Sequence, residues 1–349
     1  MIKLLHSADW HLDSALISRS DDLKKALARV PEQVIGLCKE NNCDILLLSG
    51  DLFDGPYSAD AVHSLRNLLE EVKIPVFISP GNHDFVGPDS PWLTVAWPEN
   101  VHIFIHPVME AVVLPELDCT VYGAGFISMD CNGLLADFTP DHTTRYAIGV
   151  LHGDPTQVNS SYCPITTEQV RQSELDYLAL GHIHKGDQFR AGKTLCAWPG
   201  CPMGRGFDET GEKGVLLVTL DETAEAAFFP LDTPRFYDLE VTAGTPLSTL
   251  LPPVGNKDHY RITFTGTSEP LDLAKLKEPF IAFPNLQLRD RTSPVVNVWG
   301  SAGDDTLEGM YFKLLHDATE NADSDKKRQI QLAAQISRQI LDGQEVTLP

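Results

Sequence analysis

The stretch YLALGHIHKG, Tyr177–Gly186, sets two histidines, His182 and His184, two residues apart at the end of an apolar run. A strand turns successive side chains to opposite faces, so residues i and i+2 point the same way and both rings can converge on one point. One such pair opens a loop as readily as it binds anything. Four other strand-like runs end in the same manner. SADWH closes the first with Asp9 and His11, again two apart, and LLLSGDLFD closes the second with Asp51. FISPGNHD closes the third with Asn82, His83 and Asp84, and GVLHGD closes another with His152. In open α/β sheets, ligands bind outside the carboxyl ends of the strands. All these residues fall at such ends, which predicts an α/β fold with one polar site.

The chemistry of the set suits two divalent metal ions. A carboxylate can bridge two cations, and Asp51 is the natural bridge. Two carboxylates facing two dications leave a positive site that can hold a phosphate and lower the pKa of a water. Neutral imidazoles complete the coordination without cancelling that charge. Gly50, Gly81 and Gly181 stand just before Asp51, Asn82 and His182, where a missing Cβ suits a sharp turn or a close backbone approach. Mixed nitrogen and oxygen donors favour Mn2+, with Fe2+ or Zn2+ as alternatives, over magnesium. The other seven histidines (His6, His63, His102, His106, His142, His259, His316) read as structural. Asp54 reads as an outer support or a turn residue, and Asp154 as structural.

Outward from these motifs, IKLLHSAD, CDILLLSGD and IPVFISPGNHD are strand-like. Between them lie DDLKKALARVPEQVIGLCKENN, a helical run interrupted at Pro31, and the amphipathic SADAVHSLRNLLEEVK. Further apolar runs (CTVYGAGF, YAIGVLHGD, LDYLALGHIH, LCAWPG, GVLLVTL) complete a sheet system covered on both faces. Near Arg235 the pattern changes to alternating strands, RFYDLEVT, HYRITFTGT and NLQLRDRT, with short helical runs TPLSTLL and LDLAKLKEPF. After SAGDD come two helices. One carries the stripe Leu307, Met310, Tyr311, Leu314, Leu315 and the other Leu332, Ile336, Ile340. The expected organisation is a catalytic domain over 1–234, a small α+β cap domain over 235–300 and a helical tail over 301–349.

The 349 residues carry 27 Lys and Arg against 49 Asp and Glu, a net charge of −22. That argues against a broadly basic nucleic-acid-coating surface, while bound metals would still reverse the sign locally. No run is long enough to span a membrane, and the first residues lack a signal-peptide layout. Seven cysteines with no C-x-x-C pair read as reduced thiols, which suggests a cytoplasmic protein.

Taken in order, D-x-H, G-D-x-x-D, G-N-H-D, a lone His and G-H-x-H resemble the calcineurin-like metallophosphoesterases. GDLFD in place of the GDxVDRG of protein phosphatases, and GNHD in place of GNHE, are similar to the SbcD-type DNA repair exonucleases. SPWLTVAWPENVHIF and WPGCPMGRGFDETGEKGVLLV resemble segments of the YhaO-like bacterial branch, with Cys201-Pro202-Met203 as a departure. The resemblance implies a layered core of central β-sheets flanked by helices. It implies that Asp9, His11, Asp51 and His184 hold one metal, and that Asp51, Asn82, His152 and His182 hold the other. It leaves His83 to protonate the leaving oxygen or stabilise the transition state, with Asp84 orienting its ring.

The expected function is a metal-dependent phosphodiesterase acting on DNA, an exonuclease-like subunit of a repair complex. One alternative is a phosphodiesterase for nucleotides or other small diesters. Another is an interaction subunit whose tail docks on an SMC-like coiled-coil ATPase; a homodimer is also among the expected assemblies. Lys185, Arg205 and Lys213 are the basic residues expected near the site, with Lys185 and Arg205 named as substrate contacts. DNA binding by the chain alone is expected to be weak.

Overall fold

In the computed structural model all residues are described except 56, 254, 284, 295, 296, 321, 344, 345 and 347–349. Two compact units emerge: Met1–Leu239 with Val254–Arg261 and Phe283–Gln287, and Glu240–Pro253 with Ile262–Ala282 and Leu288–Pro349. The divisions expected from sequence fall at 234 and 300; the compact units change over at Leu239–Glu240 and keep the tail with part of the small α+β region.

The first unit is built on two six-stranded sheets. One contains β1 (Ile2–Ser7), β2 (Ile45–Leu48), β3 (Val76–Ile78), β4 (Val101–Ile103), β11 (Gly214–Leu220) and β12 (Ala224–Pro230), ordered β12-β11-β1-β2-β3-β4. The other contains β5 (Glu110–Leu114), β6 (Cys119–Gly123), β7 (Tyr146–His152), β8 (Tyr177–Gly181), β9 (Lys185–Ala191) and β10 (Thr194–Gly200), ordered β5-β6-β7-β8-β10-β9. Strands β1 to β4 run parallel, as do β6, β7, β8 and β10, so their carboxyl ends lie on one edge of each sheet.

Alternation decides which layer each residue joins. Ile45 and Leu47 of β2 point into the space between the sheets, where they meet Ile148, Val150, Tyr177 and Ala179. Leu46 and Leu48 point the other way, into a cluster with α1 (Asp21–Ala28), α2 (Val30–Glu40) and α3 (Ala59–Val72). Behind the second sheet, Ala147, Leu178, Leu180 and Cys196 pack on Val170 of α5 (Thr167–Gln172). The result is a helix–sheet–sheet–helix sandwich. The interruption at Pro31 is real: α1 ends at Ala28 and Pro31 occupies the first turn of α2, where its missing N–H is harmless. Ser20 and Ser58 cap α1 and α3 by accepting from Leu23 and Ala61 N–H. A short helix α4 (Pro91–Thr94) follows β3.

His6 is a core residue, as its sequence context suggests. It sits between the sheets, its Nδ1 paired with the Tyr177 hydroxyl at 2.8 Å and its Nε2 with Ser49 Oγ at 2.9 Å. Burial pushes its pKa down to about 3, so it is neutral in the fold. The seven cysteines form no disulfide. No helix among the described residues is long and apolar enough to cross a membrane.

Three further strands, β13 (Phe236–Thr242), β14 (His259–Thr265) and β15 (Leu286–Asp290), pair in the order β13-β14-β15, and α6 (Leu273–Lys277) lies between the last two in sequence. In the second unit, α7 (Leu307–Glu320) and α8 (Ser324–Leu341) pack through Phe312 and Ala334, joined by Val298, Trp299 and Leu315. The Arg338 guanidinium lies over the Phe312 ring at 4.1 Å and pairs with Glu308. The rest of the apolar stripe faces water: Leu307 is 87% and Leu314 71% exposed.

Candidate metal centre

The loops that leave β1, β2, β3, β7 and β8 converge. The loop after β1 lies along the loop after β2, with Asp9 and His11 donating backbone N–H to the carbonyls of Gly50 and Asp51 at 3.0 and 2.9 Å. Keeping these chains together at the end of the sheets forces unusual backbone. Asp9, His11, Asp51 and His182 all adopt positive φ, at 54°, 50°, 51° and 97°. Four non-glycine residues in this region at one place is strain concentrated at a functional site. Two of the glycines have separate reasons. Gly50 has φ +87°, which only glycine adopts freely. Gly81 is needed for space, because a Cβ there would stand 2.2 Å from Asp51 Oδ1.

Each buried carboxylate spends one oxygen on the backbone. Asp9 Oδ1 accepts from His182 N–H at 2.9 Å, and Asp51 Oδ1 accepts from His83 N–H at 2.8 Å. The second oxygens turn inward. Asp9 Oδ2 is buried with no hydrogen-bond partner. Asp51 Oδ2 lies 3.4 Å from His152 Nε2 and 3.9 Å from His11 Nε2.

The histidines are arranged around the same point. His152 Nδ1 faces the Ser49 carbonyl at 2.9 Å, so that nitrogen carries the proton. Its Nε2 then presents a lone pair to Asn82 Oδ1 at 2.9 Å as well as to Asp51 Oδ2. Acceptor therefore meets acceptor, which is costly in a buried site unless a proton or a cation lies between. Without a cation the proton answers: although burial opposes it, Asp51 holds the His152 pKa up at about 9, and Asp51 itself is held low. His182 Nδ1 is 3.2 Å from the same Asn82 oxygen. On the other side, His11 Nε2 and His184 Nε2 face each other at 3.1 Å. Burial holds His11 below the ordinary imidazole range and His182 at about 4, so both are neutral, the form that donates a lone pair to a metal. Asp9, His11 and His184 form one group whose donor atoms lie mutually within 4.8 Å, and Asp9, Asp51 and His152 form another. The unpartnered Asp9 oxygen, common to both groups, and the facing acceptors fit divalent cations.

The structure brings together all seven residues singled out as ligands. It differs on their supports. Asp84 does not orient His83. Its carboxylate is buried under the second loop and accepts N–H from Leu52 and Gly81 at 2.7 Å, and from Asp51 and Phe53 at 3.3 Å. Those four donors leave no oxygen for an imidazole, so Asp84 shapes the backbone beneath Asp51. Burial and the nearby Asp51 push its pKa up to about 7 against those donors. The partner of His83 is Asp54, with Nδ1 and Oδ1 2.8 Å apart. Asp54 also accepts from Ser14 Oγ at 2.7 Å. His11 and His83 hold the Asp54 pKa low, and Asp54 in turn raises that of His83. The His83 side chain is 43% exposed.

The basic residues differ as well. Arg205 is only 9% exposed and its guanidinium is committed to Glu209 at 2.7 Å and Asp54 at 3.6 Å. Lys213 is buried, its Nζ donating to the His184 carbonyl at 3.0 Å. Lys185 lies exposed on β9.

Residues 2–186, more than half of the chain, match the calcineurin-like phosphoesterase family, and the chain belongs to it. It is a metallophosphoesterase by that membership. Over 234 residues it is 32% identical to the uncharacterized metallophosphoesterase YhaO of Bacillus subtilis (strain 168), covering 62% of this chain and 57% of the relative, little more than half of that protein's length. It is also 25% identical over 331 residues to a subunit of the nuclease SbcCD of Staphylococcus epidermidis, covering 82% of this chain and 84% of that one. Among solved structures, TT1561 of Thermus thermophilus aligns with a TM-score of 0.43 at 14% identity, over 65% of this chain and 98% of that one.

Proposed function

We propose that this chain is a two-metal phosphodiesterase acting on DNA, an exonuclease-like subunit that works beside a coiled-coil ATPase of the SMC type. Asp9, His11, Asp51 and His184 would hold one ion, and Asp51, Asn82, His152 and His182 the other, with manganese the best match to the mixed donors. The ions, when bound, supply the charge that holds a phosphate and acidifies a water. The chain does the rest. Asp51 sets the spacing between the two groups of ligands, and Asp84 fixes the loop that presents it. His83, kept protonated by Asp54, gives its Nε2 proton to the leaving oxygen as the P–O bond breaks.

The DNA reading is carried by one observation, the match that runs over 84% of the SbcCD nuclease subunit. The apolar face left open on α7 and α8 supports an ATPase-docking role for the tail, 301–349. The rival reading, a small-diester phosphodiesterase, is favoured by the net charge of −22 and by the commitment of Arg205 and Lys213 to protein partners. Manganese-dependent digestion of labelled single- and double-stranded DNA, beside cyclic and linear nucleotides, separates them. Cleavage of DNA that rises with the partner present supports the first reading. Efficient nucleotide hydrolysis with no DNA cleavage under any of these conditions supports the second.

A further inference from the structure

His184 has its second ring nitrogen in a buried ion-pair system that no motif announces. Its Nδ1 lies 2.7 Å from Glu209 Oε1. Glu209 is in turn gripped by Arg205: the guanidinium meets Oε1 at 2.7 Å and Oε2 at 3.3 Å, and the Arg205 backbone N–H meets Oε2 at 2.7 Å. The turn that allows this is tight, since Glu209 N–H donates to the Gly206 carbonyl at 3.1 Å and a Cβ at Gly204 would stand 2.5 Å from the Glu209 carbonyl oxygen. Arg205 also reaches Asp54, at 3.6 Å, the carboxylate that orients His83. One arginine thus stands between two carboxylates, each holding one functional histidine.

His184, Cys201 and Glu209 lie close enough together to hold a cation of their own. The guanidinium occupies that place, 3.2 Å from His184 Nδ1, so the group is already neutralised from within. What remains is a constraint on the histidine. Nδ1 lies closer to the Glu209 carboxylate oxygen, at 2.7 Å, than to the Arg205 guanidinium, at 3.2 Å, and the guanidinium already donates to that same oxygen, so Nδ1–H goes to the carboxylate and His184 takes the tautomer whose Nε2 lone pair faces His11. Carboxylates in this position set ring orientation and raise the basicity of a histidine that binds a metal.

We propose that Glu209 and Arg205 are positioning residues: Glu209 locks the tautomer and direction of His184, and Arg205 ties that lock to the Asp54–His83 pair. The proposal rests on the metal-binding reading of His184.

The test is manganese binding to the metal-free full-length chain, followed by calorimetry and by electron paramagnetic resonance. Wild type is expected to take up two ions and show a spin-coupled pair. Glu209→Ala should weaken one of the two binding events about 10- to 100-fold, so that at two equivalents of metal, where wild type shows the coupled pair, the variant loses the coupled signal and leaves the second ion unbound. Glu209→Gln keeps an acceptor for Nδ1–H and should recover most of that loss. It also carries the test if the alanine variant fails to fold, because it must then differ measurably from wild type. Arg205→Lys, which loses the two-pronged grip on Glu209 and the reach to Asp54, should weaken the same ion and lower kcat more than it changes KM. Two ions bound by Glu209→Ala with wild-type affinities and a coupled signal would overturn the proposal. A wild type that binds one ion, weakened by Glu209→Ala, would instead overturn the two-metal reading and leave the role of Glu209 standing.

Discussion

The loops that leave β1, β2, β3, β7 and β8 bury polar side chains, while α7 and α8 leave apolar ones in water. Both reverse the ordinary partition, and they do so for different reasons. In the loops, Asp9, Asp51, Asn82 and His152 are sealed from solvent with acceptors facing acceptors, an arrangement that costs stability unless a proton or a cation lies between them. In the helix pair, Leu307, Met310, Leu314, Ile340 and Leu341 stand exposed while a small cluster around Phe312 suffices to join the helices. Under the proposed function, an ion would fill the first and a partner's surface would cover the second. Because the two features lie in different compact units, the proposed chemistry and the proposed partnership are expected to be separable by mutation.

The sharpest way to break the first half of that comparison is at Asp51. Asp51→Asn should empty the site of metal and lower turnover of a small artificial diester by at least about 10³-fold, since several kcal/mol of charge stabilisation leave with the ions. Metal analysis beside the rate checks both halves of this expectation. His83→Ala should keep both ions and lose about 10²–10⁴-fold in kcat. Loss of an ion in that variant would remove His83 from the role given to it.

Asp54→Asn refines the same point through pH. Asp54 raises the His83 pKa, and a general acid must be protonated, so the rate falls as pH rises through that raised value. Removing the Asp54 charge should move the falling limb to lower pH, and an unmoved limb would break the pairing. For the second half of the comparison, Leu307→Glu with Leu314→Glu should weaken ATPase binding about 10- to 100-fold while leaving turnover of the small diester unchanged. A loss of that turnover would mean that the exposed face serves the chain's own fold.

The smallest effect concerns the core. His6 has its pKa lowered to about 3 in the fold. It therefore contributes stability fully present above the unfolded value of about 6.5 and lost progressively as pH falls from there towards 3. Acid unfolding of a His6→Gln variant, followed by circular dichroism, should be shallower over that window than that of wild type.

The fold and the ligand candidates are largely legible in the sequence because they obey local rules. Paired ligand types two residues apart at strand ends, glycines before them and the break at Pro31 are each visible in a few residues. The supports are not. Asp54, three residues after Asp51, reads as an outer support or a turn residue, and only the fold shows which: its oxygen is on His83. Asp84 misleads for the same reason: adjacency to His83 suggests contact, whereas the chain turns its carboxylate under the Asp51 loop. Glu209 lies 25 residues beyond His184, and no spacing rule joins them. Strands β9 and β12 escape a search for apolar runs because much of each is polar or exposed. The charge of Arg205 suggests a substrate contact, and only burial reveals that this charge is already spent on Glu209 and Asp54.

In the proposed centre, Asp9, His11, Asp51, Asn82, His152, His182 and His184 would hold two ions. Anomalous scattering from crystals soaked in manganese tests this most directly. Two peaks are expected roughly 3.5–4 Å apart, with Asp51 in contact with both, His11 and His184 on one side, and Asn82, His152 and His182 on the other. A single peak that leaves Asn82 and His152 without metal would contradict it.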